Sequence, residues 1–392
     1  MKTDINYIKA LELLQKVSSK EGFLASANDI SNYQRVWARD GVICGLAALA
    51  SGNTELIETF KKTLETLANN QHKVGTIPSN VMTNEVTAEV SYGGLAGRVD
   101  AVTWFVIGIC QYGFYTNDVA FVAKFSTHIE KCFALLDAWE FNNKGLLYVP
   151  LSGNWADEYI TDGYVLYDQL LRVWALKSYN YFVEDQTIST KIITITNQIE
   201  NNFTPNQFGD KYHQRAYQEI IIQNFMPCSF SPAGYKTRFD AFANSLALYL
   251  NIGSPDFQNT IVDYSISLKN EMKMKLLPAF WPAILESDAD WDLLKNNCKY
   301  EFRNFPFEFH NGGSWSMVNG FYGLALLSKG KSKEAIEVLS AINTANAAQN
   351  YSFYENFNSE TKEPNGVPFC AWSAAATVFL HQSLYANFKF LI

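Results

Sequence analysis

The 392-residue sequence predicts an all-α fold, an (α/α)6 barrel in which six inner helices sit inside six outer ones, with short β-hairpins in the connections. Two observations carry this. Apolar and amphipathic segments alternate along the chain, and no run of alternating residues is long enough to build a large sheet. A helix buried on both sides reads as apolar all round, whereas an outer helix keeps one wet face, so the two kinds of segment differ as the two rings of a barrel differ.

The opening segment places Ile5, Ile8, Leu11, Leu14 and Val17 three residues apart, an amphipathic helix that needs one partner face. The alternation then begins with Asp40 to Ser51, nearly apolar throughout, followed by Thr54 to Asn69 with Leu56, Phe60, Leu64 and Leu67 on one face. It recurs as Val99 to Phe114 with Asp118 to Trp139, and as Gly163 to Phe182 with Asp185 to Asn201. Ile188, Ile192, Ile195 and Ile199 are β-branched, but their spacing and the Asn-Asn-Phe-Thr-Pro stop after them favour a helix. Next come Phe239 to Leu250 with a weaker Asp256 to Met272, then Gly313 to Ser328 with Ser332 to Ile342. Phe369 to Phe388 is the sixth inner segment, and the opening helix supplies its outer partner. Leu276 to Phe309 is irregular and aromatic-rich and reads as a long loop with a helix near Asp288 to Asn297. The rhythm resumes beyond it, so residues 1–392 read as one domain.

Composition narrows the function. Hydrophobic residues make up 48% and charged residues 18%, which supplies a core and excludes disorder. Aromatics at 15% exceed what a helical core needs, and point to a surface that stacks flat apolar faces such as those of sugar rings. A net charge of -8 and a pI near 5.3, without any Lys/Arg cluster, argue against nucleic acid as partner. Met1 to Leu14 lacks the pattern of a signal peptide and no stretch is apolar enough to span a bilayer, so a cytoplasmic location and no membrane partner are expected. Cys44, Cys110, Cys132, Cys228, Cys298 and Cys370 lie far apart, with neither zinc-ligand spacing nor a disulfide framework, and no metal or cofactor is expected.

In such a barrel all inner helices run parallel, so the segments preceding them meet at one end. These are Arg35 to Gly41, Tyr92 to Asp100, Gly153 to Glu158, Tyr235 to Asp240, His310 to Trp315 and Phe353 to Phe357, all rich in Asp, Glu, Arg and aromatics. Sugar hydroxyls need charged and amide partners while sugar faces need indole or phenol planes, and hydrolysis needs two carboxyl groups in unlike environments. In the inverting geometry these stand roughly 6.5–9.5 Å apart. Asp157 and Glu355 precede the third and sixth inner helices, across the ring from one another. Glu158 and the Trp155 face would keep Asp157 protonated as the acid, whereas a place ahead of a helix N-terminus would keep Glu355 ionised as the base. Rival readings stand beside these. Arg39 and Asp40 serve equally as a brace for the first inner helix, His310 as a structural histidine, and Trp104 as a core aromatic.

The order NYQRVWARDG, WADE followed by GYVLYDQ, HNGGSW, and FYENFN followed by FCAWSAA resembles the α/α-barrel inverting glycosidases. These include neutral/alkaline invertases, amylo-α-1,6-glucosidase, trehalases and processing α-glucosidases. The resemblance implies Asp157 as general acid, with Glu158 as the fallback, and Glu355 as general base. It further implies that Arg39 and Asp40 bind hydroxyls of a terminal glucosyl unit, with Trp37, Asp100, Trp155, Glu158, Gln169, His310, Asn311 and Trp315 around it. The expected activity is hydrolysis of an α-glucosidic bond with inversion, on an oligosaccharide or α-glucan branch, with a small carbohydrate as substrate. An inverting phosphorylase, which would replace the base by inorganic phosphate, and a non-catalytic carbohydrate-binding protein are the alternatives. An epimerase would need paired bases, and only His310 among the five histidines precedes an inner helix.

Overall fold

The computed structural model describes residues 4–83, 88–206 and 208–392; Met1 to Thr3, at the start of the opening segment, lie outside these. The inner helices are Ala38–Ser51, Asp100–Thr116, Leu166–Val183, Ala241–Tyr249, Ser316–Ser328 and Ala371–Tyr385. Each packs against the next and the sixth packs against the first, which closes the ring. The outer partners, in order, are Thr54–Asn69, the pair Val119–Lys124 and Ser126–Ala138, Gln186–Phe203, Pro255–Glu271, Ser332–Asn346 and, on the sixth, Ile5–Lys16.

Burial follows the two kinds of segment. Every residue from Ala38 to Ala50 is buried, whereas Thr54–Asn69 buries one face around Leu56, Phe60, Leu64 and Leu67. Several outer helices start on side-chain caps: Asn53 accepts from the amides of Glu55 and Leu56, Asp185 from Thr187 and Ile188, and Ser254 from Phe257 ahead of Pro255. The barrel axis is filled. Trp104, Trp174, Phe242 and Phe321, from the second to fifth inner helices, meet there with Trp104 within 5.8–6.5 Å of the other three.

Several inner helices begin later than the apolar pattern suggests, because the residues ahead of them pair as strands instead. Tyr164–Val165, Pro227–Ser231, Gly234–Asp240 and Phe280–Trp281 form a four-stranded antiparallel sheet, so Gly163 and Phe239 precede their helices rather than open them. Val36–Trp37 joins Asn80–Thr83 and Ala88–Ser91 in a second sheet. The outer helix expected from Asp118 to Trp139 breaks at Phe125, whose ring is buried and whose backbone leaves helical geometry (φ -102°, ψ 8°). The irregular stretch Leu276 to Phe309 carries a helix at Trp291–Asn297.

The sixth inner helix ends at Tyr385, and the residues after it cross the far end of the barrel. The Leu391 carbonyl accepts from Gln111 Nε2 and Trp174 Nε1, both at 2.7 Å, and the Phe390 amide donates to the Tyr249 hydroxyl at 3.2 Å. Among the described residues no helix is long and apolar enough to cross a membrane.

Close approach of the first inner helix to its outer partner depends on Gly45, where an added Cβ would lie 2.0 Å from the fully buried Phe60 ring. Gly45→Ala is expected to lower unfolding free energy by about 1–3 kcal/mol through overpacking, measurable by chemical denaturation. An unchanged midpoint would show that the two rings do not meet as described.

Candidate active site

At the helix N-terminal end of the barrel lies a cavity of about 710 Å³. Connections ahead of five inner helices line it. The first contributes Tyr33 and Trp37, with Arg39 and Asp40 from the opening turn of the helix itself; the second contributes Arg98; the third contributes Trp155, Asp157 and Glu158. Ahead of the fifth come Arg303, Phe309, His310 and Trp315, and the sixth brings Glu355 and Trp372. Among the described residues the fourth connection contributes no lining side chain, contrary to the six-loop expectation. Its strand Gly234–Asp240 lies behind Trp155, in the sheet that carries Phe280, the ring stacked on Trp155 at 6.1 Å.

The carboxyl groups differ in what holds them. Asp157 is partly exposed and its Oδ2 accepts from Arg98 Nη2 at 2.6 Å. Glu158 is buried, and Arg303 grips its carboxylate through Nε and Nη2. Burial raises the Glu158 pKa, with Arg303 opposing. Of the two, Glu158 is the buried carboxyl, whereas Asp157 faces the cavity beside the Arg98 cation.

Glu355 is 4% exposed. Burial pushes its pKa up to about 7, against the lowering influence of the Tyr33 hydroxyl, Arg303 and the Val367 amide. Tyr33 donates to Oε1 at 2.7 Å and the Val367 amide to Oε2 at 3.3 Å. The expected helix dipole does not act on it, since the sixth inner helix starts only at Ala371 and Glu355 lies ahead of the hairpin Asn356–Phe357/Pro364–Asn365. That hairpin returns through Gly366 at φ +74°, where a Cβ would sit 2.3 Å from Glu355 Oε2. Only glycine allows both the backbone angle and the carboxylate.

The cavity floor is aromatic and polar together. His310 stacks on Trp315 at 5.1 Å with planes 6° apart, and Trp155 stands edge-on to both at 5.2 and 5.7 Å. Both His310 nitrogens, Trp155 Nε1 and Trp372 Nε1 are buried without a hydrogen-bond partner among the described residues. Burial, with Arg303 and Arg39 nearby, holds the His310 pKa well below its ordinary value, so the ring is neutral. Asp40 is pushed up to about 6 by burial, with Arg39 opposing. Such orphaned buried groups are costly unless a ligand satisfies them.

Three residues placed in the site by the sequence motifs do not reach the cavity. Gln169 is spent on the backbone, accepting from the Leu147 amide at 2.8 Å and donating to the Leu147 and Val165 carbonyls. Asn311 likewise ties the Ile284 amide and carbonyl to Asn304. Asp100 lies beneath the lining, where its Oδ2 receives Arg39 Nε at 2.8 Å and the Tyr167 hydroxyl at 3.3 Å. It orients Arg39. Conversely Tyr33, Arg98, Arg303, Phe309 and Trp372 line the cavity without having been singled out, although Arg98 stands in the segment Tyr92 to Asp100 and Tyr33 in the motif NYQRVWARDG. Among the described residues no group of three or more His, Cys, Asp or Glu is placed to hold a metal ion.

No protein-family profile matches the sequence. The chain is 24% identical over 363 residues to a protein named probable alkaline/neutral invertase A, chloroplastic, from Arabidopsis thaliana, covering 77% of this chain and 56% of that one. The chain thus spans little more than half the length of the curated relative it matches. Among solved structures it resembles the GH63 mannosylglycerate hydrolase of Thermus thermophilus, crystallised with glucose, at TM-score 0.69 and 12% identity, over 96% of this chain and 99% of that one. It also resembles a bacterial glucoamylase complexed with acarbose, at TM-score 0.64 and 16% identity, over 97% of this chain and 55% of the other. The closed double ring, its pocket end and these likenesses agree: the chain has an (α/α)6-barrel fold.

Proposed function

We propose that residues 1–392 form one catalytic domain that hydrolyses an α-glucosidic bond with inversion of the anomeric centre. The observation that carries this reading is a single cavity holding two unlike carboxyl groups, Asp157 and Glu355, on connections ahead of inner helices that stand opposite in the ring. The buried unpartnered nitrogens of His310, Trp155 and Trp372 are suited to the hydroxyls of one glucosyl unit. The hydrolase names of the similar proteins support the class, and the glucose complex and the glucoamylase support the glucosyl unit.

In this reading Glu355, ionised, takes a proton from a water molecule whose oxygen forms the new bond to the anomeric carbon. The bond from that carbon to the glycosidic oxygen breaks on the opposite face, and the departing oxygen takes a proton from Asp157. The step requires that Asp157 first take up a proton from solvent and part from Arg98 Nη2, while Arg98 Nη1 keeps the Ala96 and Ser152 carbonyls at 2.8 and 2.6 Å. Tyr33 and the Val367 amide hold the base in one orientation, and its raised pKa makes it a stronger base near neutrality. Glu158, with Arg303 across its carboxylate, is a wall residue in this scheme.

Asp157→Asn and Glu355→Gln are each expected to lower kcat by about 10²–10⁴-fold while retaining glucose binding by calorimetry. Glu158→Gln is expected to keep kcat within about tenfold; a loss as deep as that of Asp157→Asn would move the acid to Glu158. A proton NMR time course should show β-glucose first, without any requirement for phosphate. Initial α-glucose would contradict inversion, and strict phosphate dependence would make the protein a phosphorylase.

Because Glu355 must be ionised, kcat/KM is expected to fall about tenfold per unit as pH drops below about 7. Stability runs the other way. A buried carboxyl whose pKa is raised to about 7 favours the folded state fully below its ordinary value, and that contribution is lost as pH rises through 7. Glu355→Gln should therefore melt above the wild type at about pH 8, with the difference shrinking towards pH 4; a constant difference in scanning calorimetry would refute the shift.

A further inference from the structure

The cavity is divided by how its polar groups are engaged. In its inner part His310, Trp155 and Trp372 present buried nitrogens without partners among the described residues. In its outer part several polar side chains are already engaged, although Ser31, Asn32 and Glu301 line it as well. Arg98 spends both terminal nitrogens on the Ala96 and Ser152 carbonyls and on Asp157. Asn297 donates to the Tyr159 carbonyl at 3.2 Å and accepts from the Ser152 hydroxyl at 3.4 Å, and Arg303 is paired with Glu158.

Between these engaged groups three aliphatic side chains reach water. Leu95 is fully exposed, and Ile30 and Leu151 are 40% and 39% exposed, and all three line the cavity. A single exposed leucine means little, but three around one opening form an apolar collar. Leu95 sits on a glycine turn, with Gly93 at φ +120° and Gly94 at φ +58°, closed by the Ala96 amide on the Gly93 carbonyl and the Arg98 amide on that of Tyr92. The turn is thus joined through Arg98 to the connection carrying Asp157.

Resting on the glycosidase reading, we infer that this collar is the subsite for the departing group, and that the substrate is an α-glucoside of an apolar alcohol, alkyl or aryl, rather than an oligosaccharide. A second sugar there would set hydroxyls against these aliphatic side chains and lose part of its own hydration without return. Sugar rings also favour flat aromatic faces, whereas the most exposed apolar groups of this lining are branched aliphatic chains. An apolar aglycone instead covers Ile30, Leu95 and Leu151 and is itself covered. Each methylene so buried contributes a factor of about four to affinity.

The test separates binding from turnover. In the Glu355→Gln protein, calorimetry should show hexyl α-glucoside binding at least about tenfold more tightly than methyl α-glucoside or isomaltose. Adding Leu95→Ser should cut the hexyl-to-methyl ratio to within about threefold. Equal affinities for the hexyl and methyl glucosides, an isomaltose affinity matching that for hexyl, or a ratio indifferent to Leu95→Ser would overturn the inference. The wild type is assayed for glucose release on the same three compounds. Preferential binding of the hexyl glucoside with no release from any of them would defeat the hydrolase reading while leaving the apolar subsite standing.

Discussion

Closure of the inner ring, through the packing of Ala371–Tyr385 on Ala38–Ser51, is the constraint from which the rest of the molecule follows. Once closed, six parallel helices must present their N-terminal ends on one rim, and residues hundreds of positions apart become neighbours there. Tyr33 reaches Glu355 and Arg98 reaches Asp157 only because the ring brings their connections together. The filled axis, with Trp104 among Trp174, Phe242 and Phe321, gives that rim a floor rather than a channel.

Electrostatics at the rim follows from who is paired. Asp100, Asp157 and Glu158 each face a guanidinium, from Arg39, Arg98 and Arg303. Glu355 alone of these acids is held by neutral donors, a phenol and a backbone amide, inside a buried site. Pairing with a cation favours a carboxylate, whereas burial with neutral donors leaves the desolvation cost largely uncompensated. That contrast, rather than a helix dipole, sets Glu355 apart. Gly366 makes it possible by leaving room for the carboxylate under a tight turn.

The helices were legible because burial on two sides or one writes itself directly into residue spacing, and the opening helix fell into place as partner of the sixth inner helix for the same reason. Helix starts were less legible. Gly163 and Phe239 continue the apolar pattern of their helices, but a bridge from Gly163 to Val149 and sheet pairing of Phe239 with Pro227 and Trp281 decide their backbone. Within the site, a polar residue in a motif reads the same whether it faces a ligand or braces the wall. Gln169 and Asn311 brace, because backbone amides of distant loops take all their capacity. Arg303 was hidden for the opposite reason, as it comes from the irregular stretch Leu276 to Phe309, whose path has no periodic signature.

The aromatic cluster on the axis closes the cavity below, and the segment Phe388 to Leu391, tied to Gln111, Trp174 and Tyr249, lies across the far end. A cavity with a filled floor and its mouth at the rim imposes an order on traffic. The part of an occupant seated against the aromatic floor leaves after the part nearer the rim. Such a cavity also restricts an occupant to one that can be inserted end-first, since a polymer threaded through from side to side has no exit.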